Sequence, residues 1–179
     1  AIFSGADLVK IQTYEPKDIT LNKKSHHFKI KKKIWKNQTL WNLYQKAHTP
    51  FAWHKAAFKI ARKHKGKIFS SPFSIRSVDL LEKLKCPIYK IASFEITDYK
   101  LIDYIASKKK PIILSTGMST ITDVKNAVRI INKYHNKVSI LHCVSNYPTK
   151  IFDSDLSRIQ YLKKKFPKNK IGLSDHTNG

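Results

Sequence analysis

The sequence predicts an α/β fold of the (β/α)8 (TIM) barrel type, incomplete, and three observations carry the prediction. Apolar, β-branched runs alternate with amphipathic stretches from one end of the chain to the other. No phosphate-binding G-x-G-x-x-G turn follows the first run. Polar residues close most of the runs, instead of gathering at the single switch point of a doubly wound sheet. Six strand-like runs are expected where a closed barrel has about eight. The 179 residues therefore read as one partial catalytic domain, about strands 2 to 7 of a larger whole.

Taken in order, the strands are expected at Leu8–Thr13, Lys67–Ser71, Ile88–Ser93, Pro111–Thr116, Val138–Val144 and Lys170–Ser174. Each is short, rich in Ile, Val, Phe or Tyr, and bounded by turn formers or lysines, the pattern of a strand buried on both faces. Helices are expected between them at Phe51–Lys65, Ile75–Leu84, Tyr99–Ser107, Ile121–Tyr134 and Leu156–Lys164. Their starts carry side chains that can accept from the first free backbone N–H groups: Asp98, the pair Ser119-Thr120, and Ser154. Tyr14 to Pro50 breaks the rhythm, being far longer than a βα loop of about 2–6 residues. It holds Trp35, Trp41, Tyr44 and a short helical piece at Thr39–Ala47, and a segment of that length is expected to cover or shape a site.

The strand ends carry the chemistry. Lys10 and Gln12 close the first run, Lys90, Ser93 and Glu95 follow the third, and Ser174, Asp175 and His176 end the last. Residues two apart in a strand face the same way, so Lys10 pairs with Gln12 and Ser174 with His176. Burying a charge is costly unless something pairs with it. Cations, hydroxyls and an imidazole aimed at one place describe a site for an anion, with room for a metal. The bland readings stand beside this one: a strand lysine can face outward and snorkel, and His142 can serve packing as readily as the site. The neighbouring His26-His27 reads as loop, and the three tryptophans read as packing residues.

Composition narrows the class. A formal net charge of +23 suggests nucleic acid. Yet 31 of the 35 basic residues are lysine and four are arginine, and nucleic-acid sites lean on the arginine fork. The lysines spread over nearly every helix and loop, as in Lys31-Lys32-Lys33 and Lys163-Lys164-Lys165. Ile outnumbers Val 22 to 6, so the whole composition has drifted and the lysines read as solvated surface. No apolar run approaches the roughly 20 residues of a membrane span. Cys86 and Cys143 lie in apolar stretches without ligand spacing and read as reduced core residues of a cytoplasmic protein.

With these residues collected, the chain resembles the sialic acid synthase family, which condenses phosphoenolpyruvate with an amino sugar to make nonulosonic acids. The motifs are Val9-Lys10-Ile11-Gln12-Thr13, Phe69-Ser70-Ser71-Pro72-Phe73, Tyr89-Lys90-Ile91-Ala92-Ser93-Phe94-Glu95 and Ser115-Thr116-Gly117-Met118. Leu141-His142-Cys143 with Tyr147-Pro148-Thr149, and Gly172-Leu173-Ser174-Asp175-His176-Thr177, complete the set. Within the family the long segment, from Leu40-Trp41-Asn42 to Trp53-His54, and Phe94 resemble the branch that makes pseudaminic acid. The resemblance implies that Lys10, Ser71, Lys90, Ser93 and Ser174 bind phosphoenolpyruvate. It also implies that Gln12, Glu95 and Tyr147 contact the sugar, with Glu95 and His176 catalytic and His176 a ligand of a divalent metal, Mn2+ or Mg2+. It further implies a homodimer in the complete protein and a C-terminal antifreeze-like domain that this chain does not contain. Ser145 departs from the family, whose sialic acid synthases carry Asn there.

Overall fold

The computed structural model describes residues 1–31 and 35–178. Lys32 and Lys33 of the first lysine run, Ile34 and Gly179 lie outside the described residues. The chain forms two compact units, Ala1–Cys86 and Pro87–Gly179.

The first unit holds β1 (Val9–Thr13), α1 (Pro16–Ile19), a 3-10 turn at His26–Phe28, α2 (Leu40–Ala47), α3 (Phe51–Lys63), β2 (Ile68–Pro72) and α4 (Ile75–Lys83). β1 and β2 pair in parallel, with Gln12 opposite Ser71 and Lys10 opposite Phe69. The expected strands are present to within a residue or two. The helical piece expected at Thr39–Ala47 is present as α2. Thr39 caps α2 by accepting from the Asn42 N–H, and Tyr14 sets its ring edge-on against Tyr44 and Phe73 at 6.0 and 5.4 Å. Trp53, read as packing, is 66% exposed.

The second unit runs β3 (Tyr89–Ile91), a 3-10 turn at Ser93–Glu95, α5 (Tyr99–Ser107), β4 (Ile112–Ser115), α6 (Ile121–Asn132), β5 (Val138–Cys143), a 3-10 turn at Ile151–Ser154, α7 (Ser157–Lys165) and β6 (Lys170–Ser174). β3 to β6 pair in parallel in chain order. Ile91, Ile102, Ile105, Ile112, Leu114, Ile131 and Ile140 are essentially inaccessible and form its core. Truncating any one of them to Ala costs about 2–5 kcal/mol. Thr120 and Asp123 form a reciprocal capping box at the start of α6, and Asp98 caps α5 through the Leu101 N–H. Parallel ladders with a helix after each strand are the α/β class expected, the pattern of an incomplete (β/α)8 barrel.

Three expectations need correction. Ser154 does not cap α7: its hydroxyl donates to the Ile151 carbonyl, the chain turns left-handed at Asp155, and Leu156 takes the cap position. The strand expected over Ile88–Ser93 stops at Ile91, so Ser93 and Glu95 ride on a 3-10 turn and not on an alternating strand. Burial on both faces fails for β1, where Lys10 and Gln12 are exposed, and for β6, where Lys170 and Leu173 are. Cys86 and Cys143 are buried free thiols, as expected.

Candidate active site

In the second unit the strand ends bring several of the sequence-selected residues together. β5 and β6 run in register so that Cys143 lies opposite Ser174. From β3, the Lys90 ammonium reaches across to donate to the Ser174 hydroxyl at 3.2 Å. Two residues on, the His176 Nε2 is 3.5 Å from that hydroxyl. A lysine and a serine from strands far apart in sequence thus meet at one place, beside an imidazole.

The tautomer of His176 follows from its neighbours. Nδ1 is 2.8 Å from the Val144 carbonyl, which can only accept, so Nδ1 carries the proton. Nε2 is then a lone-pair acceptor, and the Tyr147 hydroxyl donates to it at 3.0 Å. The two rings stack with centroids 4.1 Å apart and 28° between planes. A neutral imidazole anchored at one nitrogen is also how proteins present a metal ligand. Among the described residues no three His, Cys, Asp or Glu side chains gather as a metal site.

Several buried hydroxyls lie near the turn that follows β4. Ser93 accepts a hydrogen bond from the Gly117 N–H at 3.1 Å. A side chain at Gly117 would collide with the Ser145 hydroxyl, come within 2.9 Å of Ser93 Oγ and lie 3.1 Å from the Cys143 carbonyl. Among the described residues, the buried hydroxyls of Ser115 and Ser145 have no hydrogen-bond partner, and neither has the buried Oε2 of Glu95. Such atoms cost about 1–3 kcal/mol each when left unpaired, and they persist where a function calls for them. Burial pushes the Glu95 carboxyl up to about 7, the Asp98 charge adds to this, and a hydrogen bond with its own backbone partly offsets it. Glu95 therefore titrates where a general acid or base is most effective.

The remaining residues lie in the first unit. Ser71 is buried at the end of β2, level with Gln12, and Gln12 is exposed on β1. Lys10 stands two residues earlier on the same face of β1; it is exposed, yet desolvation by the protein around it lowers its pKa. Sequence reasoning assigned no role to Ser145, whose hydroxyl lies beside Gly117 with that of Ser93. The signal was Gly117 itself, a glycine directly after a strand that leaves hydroxyls room to converge. His142, left open by the sequence, is buried on β5 and donates through Nε2 to the Ser154 carbonyl at 2.7 Å.

Comparison with known proteins gives the family and the fold. The model of the NeuB family matches residues 1–179. The chain is 49% identical to the pseudaminic acid synthase of Helicobacter pylori over 98% of its own length and 52% of that protein's. It is 41% identical to the pseudaminic acid synthase of Campylobacter jejuni serotype O:2, over 98% and 51% respectively. Among solved structures, the N-acetylneuraminic acid synthetase of Leptospira borgpetersenii, in complex with citrate, superposes with a TM-score of 0.85 at 29% identity. That match covers 99% of this chain and 57% of the other. The chain spans about half the length of these relatives.

Proposed function

The chain belongs to the NeuB family, and from that premise we propose that its complete protein condenses phosphoenolpyruvate with an open-chain acetamido sugar, 2,4-diacetamido-2,4,6-trideoxy-altrose. The product is pseudaminic acid, and phosphate is released. The observation that carries the reading is the meeting of Lys90 and Ser174 beside the His176 imidazole, which is anchored through Nδ1. The identity to the Helicobacter pylori enzyme favours pseudaminic acid over its sialic and legionaminic relatives.

The proposed chemistry forms a bond between carbon 3 of phosphoenolpyruvate and the sugar aldehyde carbon. Water adds at carbon 2, and the carbon–oxygen bond to phosphate then breaks. Lys90 is a point charge with three donors, suited to a phosphate or carboxylate. Ser93 and Ser174 supply hydroxyls to the same anion. By the family resemblance Lys10 and Ser71 bind phosphoenolpyruvate too, and Gln12 and Tyr147 contact the sugar. Glu95, half-titrated near neutrality, takes or returns a proton during water addition. A divalent ion, Mn2+ or Mg2+, would supply Lewis-acid polarisation of the aldehyde. Nε2 of His176 would hold it, since an anchored neutral imidazole suits such ions. One imidazole is not a complete ion site, so these 179 residues alone are expected to be inactive. We also propose that the complete protein is a homodimer with a C-terminal antifreeze-like domain.

The test is phosphate release by the complete protein from phosphoenolpyruvate with each of three sugars: the altrose derivative, its legionaminate-forming epimer and N-acetylmannosamine. Fastest turnover with the altrose derivative is expected. Preference for another sugar overturns the product assignment, and no release with any of them overturns the activity.

A further inference from the structure

His142 has no place in the chemistry above, yet it is only 7% exposed and makes one short, directed hydrogen bond. Along β5, alternation turns His142 to the opposite face from Cys143, whose sulfur lies 4.0 Å from Nδ1 of His176. The His142 ring therefore points away from the site. Its bond goes to the carbonyl of Ser154, which closes the 3-10 turn after β5.

Between Val144 and Ser154 the chain makes an arc, and this arc is what shapes the surroundings of His176. Its first residue supplies the carbonyl that fixes the His176 tautomer. Tyr147 stacks on the ring and donates to Nε2. Thr149 ties the arc to the His176 carbonyl through its N–H at 2.8 Å, and its hydroxyl donates back to Val144 and Asn146. These ties run within the arc or to His176, so arc and imidazole shift together unless the arc is held from outside. His142 joins the arc's far end to β5. The far end of the arc offers little grip of its own, since Ile151 and Phe152 are 74% and 98% exposed and Leu156, just beyond it, is 54% exposed.

We propose that His142 is a positioning residue: a latch on the arc 144–154 that sets Tyr147 against His176, and so governs the sugar side of the reaction without touching the substrate. The inference rests on the function proposed above. Lys90, Ser93 and Ser174 stand on β3, its following turn and β6, outside the arc, so the phosphoenolpyruvate side should not feel the latch.

The test uses the complete protein with His142→Phe, which keeps the ring and removes the donor, and His142→Asn, which is too short to reach. His142→Gln, whose amide nitrogen can stand in for Nε2, is the rescue. In the first two, KM for the sugar should rise and kcat fall, each by about tenfold, as for loss of a supporting hydrogen bond. KM for phosphoenolpyruvate should stay at the wild-type value, and His142→Gln should restore the rest. A loss in kcat alone with both KM values unchanged, parallel changes in both, or failure of the glutamine to rescue would overturn the latch. Should His142→Phe fail to fold, the asparagine variant decides. Chymotryptic cleavage after Phe152 is the readout independent of activity: faster in the Phe and Asn variants and unchanged in Gln supports the latch, and equal rates in all overturn it. A wild type that cleaves normally but shows no turnover condemns the proposed function and leaves the latch judged by proteolysis.

Discussion

Two histidines, one in each unit, use the same device to opposite ends. His54 in α3 and His176 after β6 each give the Nδ1 proton to a backbone carbonyl, Pro50 at 3.1 Å and Val144 at 2.8 Å. Each presents Nε2 as an acceptor to a hydroxyl, Thr13 at 2.8 Å and Tyr147 at 3.0 Å. The difference lies beyond that hydroxyl. Thr13 is itself buried and bonded to Ser70 at 2.6 Å, so the His54 chain ends inside the protein. Tyr147 is 66% exposed, so the His176 chain ends at solvent. An imidazole serves as a site or a rivet according to where the chain beyond its second partner ends.

Replacing the two histidines should separate the cases. In the complete protein His176→Ala should lower kcat/KM by about a thousandfold, about 4 kcal/mol of transition-state stabilisation, while the melting temperature hardly moves. A residual activity within tenfold of wild type would remove His176 from the site. His54→Ala should do the reverse, costing about 2–4 kcal/mol of stability in denaturant titration through the lost packing and two unpaired buried groups. Its kcat per folded molecule should be unchanged. Burial lowers the His54 pKa, so the unfolded chain binds the extra proton first. Its contribution is therefore intact above the unfolded value near 6.5 and is lost as pH falls through the folded value. Stability of His54→Ala should be flatter with pH across that window.

Smaller effects sharpen the picture of the anion side. Lys90→Ala in the complete protein should raise KM for phosphoenolpyruvate by about 2–3 kcal/mol, the range of a charge-assisted contact; an unchanged constant in steady-state kinetics would reject the role. Glu95 gives a pH signature opposite in sign to that of His54. Its folded pKa, about 7, lies above the ordinary carboxyl value of 4.5, so the folded state holds the proton longer. Stability is complete below the unfolded value and falls as pH rises through about 7. Glu95→Gln should thus melt higher than wild type at pH 8 and equal to it at pH 4, with activity lost at both. Identical melting curves at pH 8 would mean that the carboxyl is not desolvated.

Much of this was legible in the residues because it is local. Period-2 and period-3.6 patterns place six strands and five helices, and Asp98 and Thr120 cap where their chemistry says they should. The third strand ended early because Ser93 turns inward to meet the Gly117 N–H, a contact 24 residues away that no local pattern encodes. Ser154 looked like a cap for the same reason in reverse: any serine before a helix does, and only the fold shows its own carbonyl taken by His142. Lys90 and Ser174 were chosen as strand-end polar residues, but their pairing across 84 positions belongs to the sheet. In the Tyr14–Pro50 segment the short helix expected at Thr39–Ala47 was legible, but the contacts of Tyr14 with Tyr44 and Phe73 were not, since they join residues of separate elements.

The turn Ser115-Thr116-Gly117-Met118 assigns its two unusual requirements to neighbouring residues. Glycine in a turn is generally there for a backbone other residues avoid. Here that backbone, with φ of 58°, belongs to the exposed Met118. Gly117 instead keeps a volume clear between Ser93 and Ser145. Conformation and shape can therefore be altered independently. Met118→Gly should relieve a left-handed side chain and gain up to about 1 kcal/mol on thermal unfolding. No gain, or a loss, would show that Met118 makes compensating contacts. Gly117→Ala should push the two hydroxyls apart and spoil whatever they jointly grip. For anyone evolving this scaffold, position 118 is a dial for robustness and position 117 a gauge of bore, adjacent in the chain and separable by a single codon each.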